Sequence, residues 1–284
     1  MAWTLVLPSK NWIMKKLGTL LSVLLLLNLG SFANGQDTYG EEPETYELRE
    51  VKHSAFGPGE KLDYKLAYGF ISAGEATLTV EKSDKQINGR DILHMVGIGR
   101  SISAFDWFFK VRDRYETYMD EEGVFPWLFV RRINEGGYSK EQDYKFFQNT
   151  GKVVNEDQEE YRVPHGVQDM LSAFYFARTM DFSNAKKGQI FEFPAFLDEE
   201  VYPVRMKYMG TKKIKVDAGK FDCMVFSPAV QEGRIFESDD DLTVYITNDG
   251  NKIPVLAKAK VLVGSLRMEL TSYKNLANPV AKIN

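Results

Sequence analysis

Hydrophobic and polar residues alternate with a period of two along much of the chain after residue 60, and this is the pattern of half-buried β-strands. In residues 61–69 one face of the predicted strand would carry Leu62, Tyr64, Leu66 and Tyr68. A short link containing a glycine leads to a second alternating segment at 75–81, so the two segments predict a β-hairpin. Turn signals such as Asn88-Gly89 separate the remaining predicted strands, which lie at 92–98, 110–120, 124–132, 138–148, 152–155, 189–196, 201–209, 212–216, 220–226, 242–247, 253–261 and 266–273.

This succession of short strands predicts a mainly-β fold, either a curved antiparallel sheet or a partly open barrel or sandwich. One segment breaks the pattern, because apolar residues recur there at helical spacing: Val167, Met170, Leu171, Phe174 and Ala177. Neither Gly nor Pro occurs in residues 168–180. We therefore predict one inserted amphipathic helix near 167–180, with its apolar stripe on the concave side of the sheet.

The predicted helix divides the strands into two halves, at 61–155 and 189–273. Two packed domains are one alternative. Because no long linker rich in Pro, Gly or Ser separates the halves, we predict a single β-rich domain at 56–275. The polar residues on either side predict a flexible lead-in at 36–55 and a polar tail at 276–284.

The N-terminal residues have the composition of a secretory signal peptide. Two lysines precede the uncharged apolar stretch 17–29, and Ser31-Phe32-Ala33 fits the site that signal peptidase cleaves, so residues 1–35 are predicted to be removed. The stretch is shorter than the roughly 20 residues that span a bilayer, although an uncleaved anchor is the alternative. Met14 stands where signal peptides usually begin, which leaves open whether the start codon precedes it.

Export and charge together describe the expected mature protein. No cysteine lies near the cleavage site, so we predict a soluble protein of the Gram-negative periplasm, neither lipid-anchored nor membrane-spanning after cleavage. Loss of three lysines leaves 33 basic against 40 acidic residues, a net charge of −7, which argues against nucleic acid as a partner. Cys223 is the only cysteine and cannot form an internal disulfide, so an apolar core must hold the fold.

The sequence contains no motif that identifies a catalysed reaction. Its three histidines, His53, His94 and His165, are scattered without metal-ligand spacing, so we predict no metal and no cofactor. His165 and Asp169 could pair as a base and its orienter, or simply form a local helix cap. Cys223 lies in an apolar strand and is expected to be a core residue. The acidic run 237–241 could bind calcium, but a solvated loop is the simpler interpretation.

One group of residues suggests a binding site. Arg112 and Arg114 are two apart on one predicted strand, and Arg131 and Arg132 lie on the next, so they could form a basic patch for a phosphate or carboxylate. Ion pairs with neighbouring acidic residues are the alternative. Aromatic residues nearby could line an apolar pocket or fill the core. We predict that the ligand is bound by residues from both groups: Arg112, Arg114, Arg131, Trp107, Trp127 and Phe174.

Several segments in order resemble the exported bacterial family catalogued as domain of unknown function 3108. They are LDYKLAYGFISAGEA at 62–76, VRDRY at 111–115, EGGY at 135–138, QDMLSAFY at 168–175 and TNDGNKIPV at 247–255. The resemblance covers about residues 56–275. It implies an exported or periplasmic protein of Gram-negative bacteria, with a curved antiparallel sheet and inserted helix similar to the half-barrels of lipoprotein carriers. It implies no activity.

From these observations we expect an exported, non-enzymatic protein of the cell envelope. A curved sheet closed by an amphipathic helix would hold an apolar cavity for a lipid, an acyl chain or a lipoprotein segment. A structural or assembly protein that docks envelope proteins or polysaccharide is one alternative. An uncharacterised hydrolase is another, and would need two titratable groups with perturbed pKa values in one cleft.

Overall fold

The computed structural model describes residues 45–107, 109–228, 242–260 and 265–283. Two helices are α1 (Ser103–Asp106) and α2 (Met170–Thr179). The strands are β1 (Lys61–Tyr68), β2 (Ile71–Ile87), β3 (Arg90–Ser101), β4 (Arg112–Asp120), β5 (Pro126–Glu135), β6 (Tyr138–Phe147), β7 (Lys152–Val154), β8 (Glu160–Arg162), β9 (Ile190–Leu197), β10 (Glu200–Val216), β11 (Gly219–Pro228), β12 (Leu242–Thr247), β13 (Pro254–Lys260) and β14 (Ser265–Lys274).

The strands form one antiparallel sheet in the order β8-β7-β6-β5-β4-β3-β2-β1-β14-β13-β12-β11-β10-β9. The predicted mainly-β class with an inserted helix is therefore confirmed. All neighbours in the sheet are also neighbours in sequence except β1 and β14, which join the two halves into one surface. In the described part of the chain the sheet does not close into a barrel, and β8 and β9 are its edges.

The sequence pattern and the structure differ at β10. Alternation stops at Gly210, so the pattern predicts two strands, at 201–209 and 212–216. In the structure the strand continues, with Gly210 at φ 108° and a shift of the β11 register between Tyr208 and Gly210. A β-bulge of this kind inserts a residue without ending the strand, and glycine adopts the required positive φ without a steric penalty.

Helix α2 begins three residues later than the predicted boundary, because the preceding residues pair with the sheet instead. The backbone N–H of Gln168 donates to Pro194 O (3.0 Å), and the N–H of Phe196 donates to Gln168 O (2.7 Å). Asp169 then caps the helix, since its carboxylate accepts from the N–H groups of Leu171 and Ser172. The segment that leaves edge strand β8 is thus fastened to edge strand β9.

A side-chain cluster also joins the two ends of the sheet. Asp198, in the turn between β9 and β10, forms ion pairs with Arg131 of β5 (3.0 Å) and Lys140 of β6 (2.8 Å). Asp198 and Glu199 both have positive φ, 45° and 68°, in this tight hairpin turn. The hairpin tip therefore rests against the far half of the sheet, and the sheet curls around α2.

The main core lies between α2 and the inner face of the curled sheet. Its largest fully buried side chains are aromatic: Tyr64, Tyr115, Tyr144, Tyr175, Phe129, Phe196 and Phe221. Phe196 of β9 contacts Tyr144 of β6 edge-to-face, with ring centroids 5.2 Å apart, which again connects the two ends of the sheet. None of the helices in the described ranges is long and apolar enough to cross a membrane.

The segments before and after the sheet also pack against it. In residues 45–55, part of the predicted flexible lead-in, Arg49 donates to Gly123 O and Val124 O, and Ala55 is buried. In the predicted polar tail the N–H of Asn278 donates to Asn251 Oδ1 (2.8 Å). These contacts attach the described parts of both segments to the domain.

Candidate functional site

A cavity of about 110 Å³ lies between α2 and the β9–β14 half of the sheet. Most of its lining is apolar. The helix contributes Met170, Ala173, Phe174 and Ala177, and the sheet contributes mainly Phe193, Val204, Met206, Phe226, Val244, Ile246, Ala257 and Met268. Apolar cavities with a small number of polar groups are the usual form of a small-molecule site, so this is the candidate site of the protein.

Small residues create the space. Phe226, Val244, Ala257 and Met268 lie opposite one another on four adjacent strands, and a single alanine stands in this otherwise bulky row. The helix face above this row also carries small side chains, Ala173 and, one turn further along, Ala177. Where leucines would fill the gap between helix and sheet, the alanine methyl groups leave it open.

A buried ion pair lies at the C-terminal end of α2, beside the cavity. Arg178, which lines the cavity, binds Glu60 through two hydrogen bonds of 2.6 and 2.7 Å. The same guanidinium donates to Asn251 O and Ala55 O, both at 2.9 Å. Although burial opposes its charge, these contacts with Glu60 keep the pKa of Arg178 above its usual value. Glu60 therefore balances the charge of Arg178 at this position.

Lys252 is the second cationic residue of the cavity lining. It is half-buried at the end of the turn between β12 and β13, and burial lowers the pKa of its ammonium group. The turn is fixed by Asp249, whose Oδ1 accepts from the backbone N–H groups of Asn251 (2.9 Å) and Lys252 (3.1 Å). Lys252 itself has φ 48°, a conformation that non-glycine residues seldom adopt.

The three predicted arginines do not form one patch. Arg112 and Arg114 do share the outer face of β4, but each is held by an acidic neighbour, Asp106 and Glu116 respectively, at 2.6 Å. Arg131 points to the inner face, where it is buried and donates to Gln142 (3.0 Å). Arg132, the fourth arginine of the predicted patch, lies directly opposite Arg114 on the outer face, where it pairs with Asp143, so only Arg131 is separated from the others by the sheet.

The three predicted aromatic residues are also separated. Trp107 is 84% exposed after α1, whereas Trp127 is buried and its indole N–H donates to Asp120 (3.1 Å). Phe174 lines the cavity, and it is the one member of the six predicted residues that does. Sequence reasoning missed Arg178 and Lys252. Arg178 was detectable, because it follows Phe174 by four residues and so falls on the apolar stripe of the helix.

Two carboxyl groups with perturbed pKa values lie elsewhere, on the inner face of β4 and β5. Burial and the adjacent Asp113 raise the pKa of Glu135 to about 9, and burial also raises the pKa of Asp113. Neither residue lines the cavity. His165 and Asp169 do not pair: the His165 ring stacks on Tyr46, and the Asp169 carboxylate accepts from Thr117 Oγ1 (3.0 Å) and caps α2.

The remaining candidates for chemistry give no site in the described residues. Across the described ranges no three or more His, Cys, Asp or Glu side chains cluster in a way that could hold a metal ion. Cys223 is buried, and burial raises the pKa of its thiol to about 12. The acidic run 237–241 lies outside the described residues.

Together the fold and the cavity define a class of protein: a single antiparallel sheet that curls around one helix and encloses an apolar space. Within that class, the chain belongs to the family described as protein of unknown function (DUF3108), which matches residues 63–271. The resemblance drawn from the sequence motifs is therefore confirmed. No curated protein matches the chain.

Among solved structures of low sequence identity, one shares the fold of this chain. A β-barrel-like protein of domain of unknown function DUF1849 from Brucella abortus is 12% identical, with a TM-score of 0.50 over 80% of this chain and 99% of that one. This likeness shows the fold alone. A protein designated a lipoprotein from Parabacteroides distasonis (12% identity, TM-score 0.35) matches over 80% of this chain and 100% of its own. A protein from Bacteroides fragilis, designated exported and with a YmcC-like fold, is 8% identical with a TM-score of 0.31. It matches over 80% of this chain and 100% of its own.

Proposed function

We propose that this protein is an exported, non-enzymatic protein of the cell envelope that binds an apolar group in the cavity beneath α2. The bound group would be a lipid, an acyl chain or a segment of a lipoprotein. The predicted signal peptide and the absence of a cysteine at its cleavage site favour a soluble protein of the Gram-negative periplasm, without a lipid anchor. The cavity is the observation that carries the proposal.

The energetics of the cavity favour an occupant. An empty space costs about 24 cal/mol per Å³, so the 110 Å³ here corresponds to roughly 2–3 kcal/mol of lost packing. Walls formed by Phe, Met, Val, Ile and Ala offer water few hydrogen-bond partners, and such a lining favours an apolar occupant over water. A hydrocarbon group would restore the missing contacts.

The residues that could support hydrolysis are placed unfavourably for it. Asp113 and Glu135 are buried on a different part of the inner face from the cavity, and His165 does not contact Asp169. The non-enzymatic proposal therefore accounts better for the described residues than the hydrolase alternative does.

Co-purification tests the proposal. The full chain would be expressed in a Gram-negative host, recovered from the periplasm under mild conditions, and analysed for bound lipid by native mass spectrometry. We expect a bound apolar molecule in the native protein and its loss in Ala177→Leu, which adds three carbons to the cavity wall. Ala67→Leu makes the same change on β1, outside the cavity, and should keep the molecule. A stable protein free of any bound molecule would overturn the proposal.

A second candidate function is docking to other envelope components, and one observation favours it. Phe70 and Ile71, at the tip of the β1–β2 hairpin, are 105% and 60% exposed, and the exposed Trp107 lies at the same end of the sheet. Exposed apolar groups brought together in this way can mark an interaction surface. A Phe70→Ser/Trp107→Ser variant that loses a cross-linked envelope partner but keeps its bound lipid would support docking.

A further inference from the structure

Charge is distributed unevenly in the lining of the cavity, and this points to the chemistry of the ligand. Among the described residues that line it, two are cationic, Arg178 and Lys252, and none is acidic. Arg178 is already balanced by Glu60 through two hydrogen bonds. Lys252 forms no ion pair or side-chain hydrogen bond within the described residues.

The acidic residues nearest Lys252 are engaged with backbone groups. Asp249 uses Oδ1 for the N–H groups of its own turn and Oδ2 for the N–H of Ala281 (2.7 Å). Asp181 Oδ1 accepts from the N–H of Ser183 (2.9 Å). Both carboxylates act to raise the pKa of Lys252, but burial and the charge of Arg178 lower it, and the net effect is a lowered pKa. Within the described residues the ammonium group is thus partly desolvated and in no direct ion pair, so an anion bound in the cavity could contact it directly.

Cationic and apolar parts of the site follow one another along the strands. Lys252 stands at the turn that joins β12 to β13, and the apolar lining continues from it through Pro254 to Ala257 and, on the neighbouring strand, from Ile246 to Val244. Ala257 follows Lys252 by five positions, which corresponds to at most about 16 Å of extended chain. A ligand lying along β13 would therefore meet a positive charge at one end and hydrocarbon over the rest.

We propose that the ligand is a single-chain amphiphile with an anionic head, such as a fatty carboxylate, whose head pairs with Lys252. The inference rests on the proposed function and adds the ligand class. The volume favours one chain, because about 110 Å³ cannot take the paired chains of a membrane phospholipid, whereas a single chain can place part of its length in the cavity and extend the rest through its open side. The charge favours an anionic head over a neutral one.

Calorimetric titration of the full mature protein at pH 7.5 with dodecanoate and with dodecanol, both below micelle formation, tests the inference. We expect dodecanoate to bind about tenfold more tightly, as is typical of a charge-assisted contact. Lys252→Met should remove that difference and leave dodecanol binding unchanged, whereas Lys252→Arg should retain it. Lys258→Met removes an equal charge from an exposed position on β13 and should behave as the native protein. Circular dichroism would check that each variant is folded.

The possible outcomes separate the two proposals. If both probes bind equally and Lys252→Met changes neither, the anionic-head inference is wrong while the apolar cavity function stands. If Lys258→Met weakens dodecanoate as much as Lys252→Met, the preference comes from overall charge and the inference also fails. If the native protein binds neither probe, the apolar-ligand function fails, and the inference with it.

Discussion

The buried ion pair between Arg178 and Glu60 allows a quantitative test of how this fold is held together. The guanidinium connects three segments that are distant in sequence: Glu60 before β1, Ala55 O in the N-terminal segment, and Asn251 O in the turn that carries Lys252. Arg178→Met keeps the aliphatic bulk and removes all four hydrogen bonds. The variant leaves the Glu60 carboxylate, 1% exposed, without its counter-charge.

Removing one partner of a buried ion pair costs about 3–5 kcal/mol, because the remaining charge is left uncompensated. Urea unfolding is the assay. With a denaturant slope of about 3 kcal/mol per molar, a loss of about 4 kcal/mol moves the midpoint by about 1.3 M. The double variant Glu60→Leu/Arg178→Met removes both charges. It should lose only about 2 kcal/mol, mainly from the two carbonyl groups left without a donor.

The two single variants and the double variant form a double-mutant cycle, which measures the interaction energy between Arg178 and Glu60. An exposed ion pair on the same sheet serves as the control. Arg205 and Glu192 form an ion pair with side chains 35% and 48% exposed, so Arg205→Met should cost less than about 1 kcal/mol. If Arg178→Met costs no more than Arg205→Met, or if the costs of Glu60→Leu and Arg178→Met simply add in the double variant, the reasoning about burial is refuted.

Three further predictions concern protonation, capping and the thiol. Because burial and Asp113 raise the pKa of Glu135 to about 9, the folded state retains a proton that the unfolded chain releases above its ordinary pKa of 4.5. Stability should therefore fall as pH rises from 5 to 9, by at most about 1.4 kcal/mol per unit, and Glu135→Gln should flatten this dependence in thermal unfolding at pH 5 and pH 8. An unchanged slope would contradict the assignment. Asp169→Ala removes the α2 cap and should cost about 1–2 kcal/mol in urea, whereas Ser183→Ala, at an exposed position, should cost little. Cys223, fully buried with a pKa raised to about 12, should react with a thiol reagent only as fast as the protein unfolds; rapid labelling of the native protein would show that the thiol is accessible.

Local sequence pattern predicted most of the fold because most of the fold is local. Alternation in residues such as Leu62 and Tyr64 gave β1, and all sheet neighbours but one are hairpin partners. The pattern misplaced features that depend on tertiary contacts. Gly210 interrupts the alternation without ending β10, and Gln168 falls within the predicted helix but pairs with the edge of the sheet. The strand β8 is too short for alternation to reveal.

The candidate site was less predictable, because its residues come together only through the curl of the sheet. Phe174 was identified as part of an apolar helix face. Ala173, Ala177 and Ala257 create the cavity by their small size, yet an alanine in an apolar pattern is indistinguishable from an ordinary core residue. Lys252 directly follows the turn-forming residues 248–251, and nothing in that pattern indicates that the residue after the turn lines a cavity.

The single non-local pairing in the sheet has a consequence for how the protein reaches its folded state. Strands β2–β8 and β9–β14 can each form as a series of hairpins soon after the chain emerges, since closure of short loops is fast. Strand β1 must keep one edge unpaired until β14, near the end of the chain, has also been delivered. The partly folded chain would thus carry an open strand edge in the middle of the future sheet until its last strand is available. Pairing of β1 with β14 then leaves β8 and β9 as the edges of the sheet in the described part of the chain, and it removes the open edge in its middle, where another chain could pair.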